Sequence, residues 1–107
     1  MARRRAAKVD DNQNALVSIW RSMGISVAIT SASHDGFPDV VLGYGGITVL
    51  VEIKDGNKPP SKRKLTPDQV KFHNEFKGAI TVVETQEQAL ELADTIKKRA
   101  NAVKFKW

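Results

Sequence analysis

An α/β fold built on a mixed central sheet, with elements in the order α-β-β-β-α-β-α, is what the sequence predicts. Three observations predict it. Stretches with apolar residues at helical spacing alternate with short β-branched runs. Two of those runs flank a Gly-rich turn and read as an antiparallel hairpin. A later strand follows a helix, a connection that suits parallel pairing through a crossover. At 107 residues, one domain is expected, spanning 10–100, with a basic tail at 1–9 and an aromatic-bearing tail at 101–107.

The first helix is expected over 10–23. Asp10 or Asp11 can cap it, Leu16, Ile19, Trp20 and Met23 recur as its buried stripe, and Gly24 ends it. Trp20 reads as core, with stacking on a nucleic-acid base as the alternative. In the strand expected over 25–30, Ile25, Val27 and Ile29 alternate with smaller residues. A turn-rich connection with His34 and Asp35 leads to the hairpin, 36–54, whose turn is read as the four residues 43–46. Pro59 and Pro60 stiffen a basic loop at 58–64. Thr66 and Pro67 signal the start of the second helix, where Val70, Phe72, His73 and Phe76 mix core and boundary positions. The apolar run 79–83 is the strand expected to pair parallel with the second hairpin strand. The last helix, 85–100, opens on a Thr85–Gln88 capping pair and buries Ala89, Leu92, Ala93 and Ile96. Lys97, Lys98 and Arg99 suit its C-terminal dipole. Phe105 and Trp107 suggest docking, on this fold or on a partner subunit.

Composition narrows the function classes. Apolar content of 41% with 27% charged residues is ordinary for a globular protein. No apolar run reaches the roughly 18 residues of a membrane span. The basic start lacks a following apolar segment, so a secretory signal is not expected. Zero cysteines excludes disulfides and thiolate metal sites and fits a reducing compartment. The net charge of +5 is unevenly spread. Arg3, Arg4, Arg5 and Lys8 precede the first acid, and 54–64 carries five basic residues against Asp55. Such localised positive charge suits a polyanion, with a solvated tail and loop as the plain alternative. Lys58, Lys62, Arg63 and Lys64 are candidate phosphate contacts. No aromatic is interleaved among them, so recognition of DNA backbone and shape is expected rather than sequence readout.

The anomaly is charge inside the hairpin. Ile47, Val49, Val51 and Ile53 share one face of its second strand, and Thr48, Leu50, Glu52 and Lys54 share the other. With a four-residue turn Asp39 falls opposite Leu50, hence on the Glu52 side. Charges in apolar strands cost free energy unless something pairs with them. Two neighbouring carboxylates invite a cation. Magnesium takes one or two protein carboxylates and completes its shell with water and phosphate oxygens. Lys54 beside them could orient water or neutralise charge on a phosphate. The chemistry suggested is metal-assisted phosphodiester hydrolysis.

Pro38-Asp39 followed by Glu52-Ile53-Lys54 resembles the PD-(D/E)xK nuclease signature. Together with Gly36-Phe37, Asp55-Gly56 and Lys64-Leu65-Thr66-Pro67-Asp68-Gln69, it resembles the small stand-alone VRR-NUC proteins of phages and prophages, over about residues 10–93. The resemblance implies a restriction-endonuclease-like core. It implies an endonuclease using Mg²⁺ or Mn²⁺ held by Asp39, Glu52 and the Ile53 carbonyl, with Lys54 and Gln69 assisting. It implies a loop bordering the site in which His34 contacts DNA phosphate, with a plain surface-loop histidine as the alternative, and a host-cell cytoplasmic setting. Branched DNA such as a four-way junction is the implied substrate, with restriction-type or flap cleavage and non-catalytic DNA binding as alternatives. One site per chain makes a homodimer the expected means of cutting two strands. The sequence departs from the pattern in the first helix, where Ala15 stands at the position expected to hold a glutamate after Asn12-Gln13.

Overall fold

The computed structural model describes residues 10–31 and 36–103. His34, the tail cations Arg3, Arg4, Arg5 and Lys8, and the terminal Phe105 and Trp107 lie outside the described residues. The elements are α1 (Gln13–Ser22), β1 (Ser26–Ile29), β2 (Val40–Tyr44), β3 (Ile47–Ile53), α2 (Pro67–Glu75), β4 (Ile80–Val83) and α3 (Gln86–Val103), with a 3₁₀ turn at Pro60–Lys62. This is the expected order. The sheet runs β1-β2-β3-β4, antiparallel except for the parallel β3–β4 pair. No helix among the described residues is long and apolar enough to cross a membrane.

The core lies on one face of the sheet. There Val40, Leu42, Val49, Val51 and Ile53 meet Leu16, Val17 and Trp20 of α1 and Ala89, Ala93 and Ile96 of α3. The odd-numbered face of β3 is therefore the core face, as alternation requires. In α1, Val17 takes a buried position that the spacing gave to Ile19, and Met23 is only partly buried. Trp20 is fully buried and its indole N–H donates to the Ala89 carbonyl at 3.0 Å, so the base-stacking alternative falls. That bond pins α1 to α3. Trp20→Phe removes the donor and part of the ring. It is expected to cost about 1–3 kcal/mol in urea unfolding followed by circular dichroism.

Two expectations need correction. The hairpin turn is two residues long, not four: Tyr44 pairs with Ile47, and Gly43 and Tyr44 belong to β2. Gly45 and Gly46 hold φ of +55° and +84°, which makes this the tight turn whose twist matches paired strands. The register slips by two residues, an even number, so every side chain keeps its face. The second correction is α2. None of its residues is buried, and Val70 and Phe76 are exposed. The helix lies apart from the core, so its apolar residues pack locally. Phe72 meets Phe37 edge-on and Phe76 in a stack, with ring centroids 5.3 and 5.5 Å apart. Elsewhere β1 is an edge strand and leaves Ile29 exposed. α3 runs three residues beyond the expected end, which takes Lys97 out of the last turn and leaves its ammonium over the Tyr44 ring.

Candidate active site

Against the other face of the sheet, the N-terminal turn of α2 and the end of β3 enclose a cavity of about 240 Å³. Asp10, Asp39, Glu52, Lys54, Lys58, Lys62, Thr66 and Gln69 line it. The revised register explains why the acids meet. The pairing of β2 with β3 ends at Val40 opposite Val51, so Asp39, the residue just before β2, lies beside Glu52 rather than opposite Leu50. Both carboxyls line the same cavity, and the Asp39 carboxyl acts directly on Glu52. Asp39 sits where β2 begins: its N–H donates to the Val51 carbonyl at 3.0 Å, and its Oδ2 accepts from the Ile53 N–H at 2.8 Å.

Gln69 connects the rest. Thr66 caps α2 through a reciprocal pair: Thr66 Oγ1 accepts from the Gln69 N–H at 3.2 Å, and Gln69 Oε1 accepts from the Thr66 N–H at 2.9 Å. That same Oε1 accepts from Lys54 Nζ at 2.9 Å, while Gln69 Nε2 donates to Glu52 Oε2 at 3.0 Å. The capping geometry orients the amide so that oxygen faces the lysine and nitrogen faces the carboxylate. Gln69 thus faces the site, not solvent. Thr66→Ala removes the cap and is expected to cost about 1 kcal/mol in thermal melts.

Glu52 is 2% exposed, and its Oε1 is buried with no hydrogen-bond partner. Burial, and then the Asp39 carboxyl beside it, push Glu52 from its ordinary 4.5 up to about 9, against a smaller opposing pull from Lys54. In the absence of a cation Glu52 therefore keeps its proton at neutral pH. An orphaned buried oxygen and a second carboxyl within reach form a donor set that fits a hard divalent cation. Among the described residues no group of three or more His, Asp or Glu side chains is arranged to hold a metal. Two carboxylates match an ion that keeps several waters and takes phosphate oxygens.

Asp10 is a site residue the sequence reasoning missed. Read only as a helix cap, it stands outside α1 and turns its carboxyl into the cavity, 3.7 Å from Lys58 Nζ. Burial raises its pKa, with the Lys58 and Lys54 charges opposing. The signal is an acid just before Asn12-Gln13, whereas the expected glutamate falls after that pair, at Ala15. The basic loop divides. Lys58 and Lys62 line the cavity, whereas Lys64 is exposed and not among the lining residues. Arg63 turns inward, its Nη1 3.5 Å from both oxygens of Glu84. Ile53 meets Asp39 through its amide. His73 lies one turn after Gln69; burial and the Lys54 charge lower its pKa.

The fold and site together define an α/β protein with two acids gathered in one cavity at the ends of two adjacent strands, a lysine beside them and a glutamine bridging acid to lysine. No protein-family model, curated protein or solved structure matches the chain.

Proposed function

We propose that the protein is a Mg²⁺- or Mn²⁺-dependent DNA endonuclease of the VRR-NUC type, acting as a homodimer on branched DNA in the cytoplasm of a phage-bearing host. One observation carries the reading. Asp39, just before β2, and Glu52, in β3, share one cavity with Lys54. The carboxylates of Asp39 and Glu52, with the Ile53 carbonyl, would hold the ion. When bound, the ion polarises a phosphodiester and lowers the pKa of water.

The chain's own groups do the rest. Lys54 spends one of its three donors on Gln69 and directs its charge into the cavity, where charge accumulates on phosphate oxygens. Gln69 fixes the lysine's direction and ties it to Glu52. Lys58 and Lys62 on the rim suit the phosphates of the same strand. Water adds to phosphorus and one P–O ester bond breaks, which leaves a phosphate monoester and a hydroxyl. The outward lysines contact backbone, so affinity falls steeply with salt. The test is a panel of end-labelled DNAs, namely duplex, flap, single strand and four-way junction, incubated with Mg²⁺ or Mn²⁺ and with EDTA. Metal-dependent cutting strongest on the junction is expected. Binding without cleavage of any member under either metal would overturn the proposal.

A further inference from the structure

We propose that the Asn12–Gln13 pair at the head of α1 is a positioning device that holds the two strand ends bearing Asp39 and Lys54 at their working separation. The inference rests on the nuclease reading and names two residues that touch neither metal nor DNA in it.

Asparagine is favoured at a helix N-cap because its side-chain oxygen accepts an amide of the first turn. Asn12 stands at that cap and makes no such bond. Its Nδ2 instead donates to two remote carbonyls, those of Lys54 and Glu84, each at 3.1 Å. These carbonyls lie at the ends of β3 and β4, next to the bond from the Lys54 N–H to the Val83 carbonyl. One amide thus bridges the two parallel strands where their ladder runs out, directly behind the lysine. The arrangement leaves Asn12 Oδ1 buried and without a donor, a cost that an ordinary cap would not carry.

Gln13 acts on the other strand. It is 2% exposed, an unusual burial for a glutamine in the first turn of a helix. Its Oε1 accepts from Ser31 Oγ at 3.2 Å, and that hydroxyl also lies 3.3 Å from the Asp39 carbonyl. The same short stretch is held again by Thr30, whose N–H donates to the Asp39 carbonyl and whose Oγ1 donates to the Pro38 carbonyl, each at 2.8 Å. Consecutive residues of one helix therefore reach the strand end that carries Asp39 and the strand end that carries Lys54. α1 is itself anchored in the core by Leu16, Val17 and Trp20. It serves as the rigid body against which both ends are set.

The test is single-turnover cleavage of a labelled four-way junction with Mg²⁺ by the full chain, using near-isosteric Asn12→Leu and Gln13→Met. Each is expected to lower the rate at saturating DNA by about tenfold or more, because small misplacements of reacting groups are costly. The DNA and Mg²⁺ concentrations at half-maximal rate should shift by less than about twofold, since no contact to either is removed. Ala93→Gly, in the middle of α3, serves as a control for general destabilisation and should leave the rate near that of wild type. If Asn12→Leu does not fold, Asn12→Asp, which keeps the shape but lacks the donor, carries the same expectation. Variant rates within twofold of wild type, or losses confined to DNA affinity, or losses equalled by Ala93→Gly, would overturn the positioning role alone. A wild type that cuts nothing would overturn the nuclease reading and this role with it.

Discussion

Asp39→Asn and Lys54→Ala are each expected to reduce metal-dependent DNA cleavage by about 10²-fold or more, and to do so in distinguishable ways. Asp39 accepts a backbone bond from Ile53 and lies beside Glu52 in the cavity. An asparagine can keep the first contact through its oxygen but forfeits the charge that draws a cation. The Asp39→Asn protein should therefore lose the heat of Mn²⁺ binding in calorimetry along with activity. Lys54 reaches the cavity as a cation held by Gln69 and touches neither carboxylate among its hydrogen bonds. Lys54→Ala should bind Mn²⁺ at least as well as wild type, because a positive charge has left the site, and still fail to cut. Equal cutting by wild type and both variants would assign the activity to a contaminant.

The second large effect concerns stability and needs no DNA. Glu52 holds its proton up to about 9 in the folded chain, against 4.5 for an ordinary glutamate. Below the ordinary value both folded and unfolded chains are protonated, and the group contributes no pH dependence. As pH rises past it, the unfolded chain releases the proton while the folded chain keeps it. Metal-free stability is thus fully present at low pH and is lost toward pH 9, with a slope of at most about 1.4 kcal/mol per pH unit. Glu52→Gln keeps the shape and removes the titration. In EDTA its melting temperature should exceed that of wild type by a widening margin from pH 5 to pH 9. Millimolar Mg²⁺ should close that margin at pH 8 by stabilising wild type alone. Parallel melting curves across this pH range would mean that Glu52 is ionised at neutral pH without a cation.

Much of this was readable from residue order. The alternation in β3, the Thr66-Pro67 start of α2 and the β-branched run before α3 each carry local signals strong enough to set an element. The shared face of Asp39 and Glu52 was also readable, although the turn length was not. Four consecutive turn-compatible residues, 43–46, permit more than one hairpin, and the choice depends on Tyr44 pairing with Ile47 across the strands. α2 misled because Val70, Phe72, His73 and Phe76 read as a mix of core and boundary positions. What leaves Phe76 exposed and Phe72 only half-buried is that the helix lies apart from the core, which no local pattern encodes. Asp10 was misread for a related reason: a cap and a cavity-lining acid have the same sequence signature. Arg63 likewise reads as one more loop cation until Glu84, 21 positions away, is brought beside it.

The peripheral seat of α2 has a practical consequence. With no buried side chain, the helix is fastened chiefly by polar bonds from Gln69 and by the aromatic row on its flank. Its amides should be among the first to exchange with heavy water, well ahead of those in β3. Since Gln69 grips Glu52 and Lys54, the exchange rate of this one helix becomes a gauge of cavity occupancy, legible by mass spectrometry without any substrate being cut.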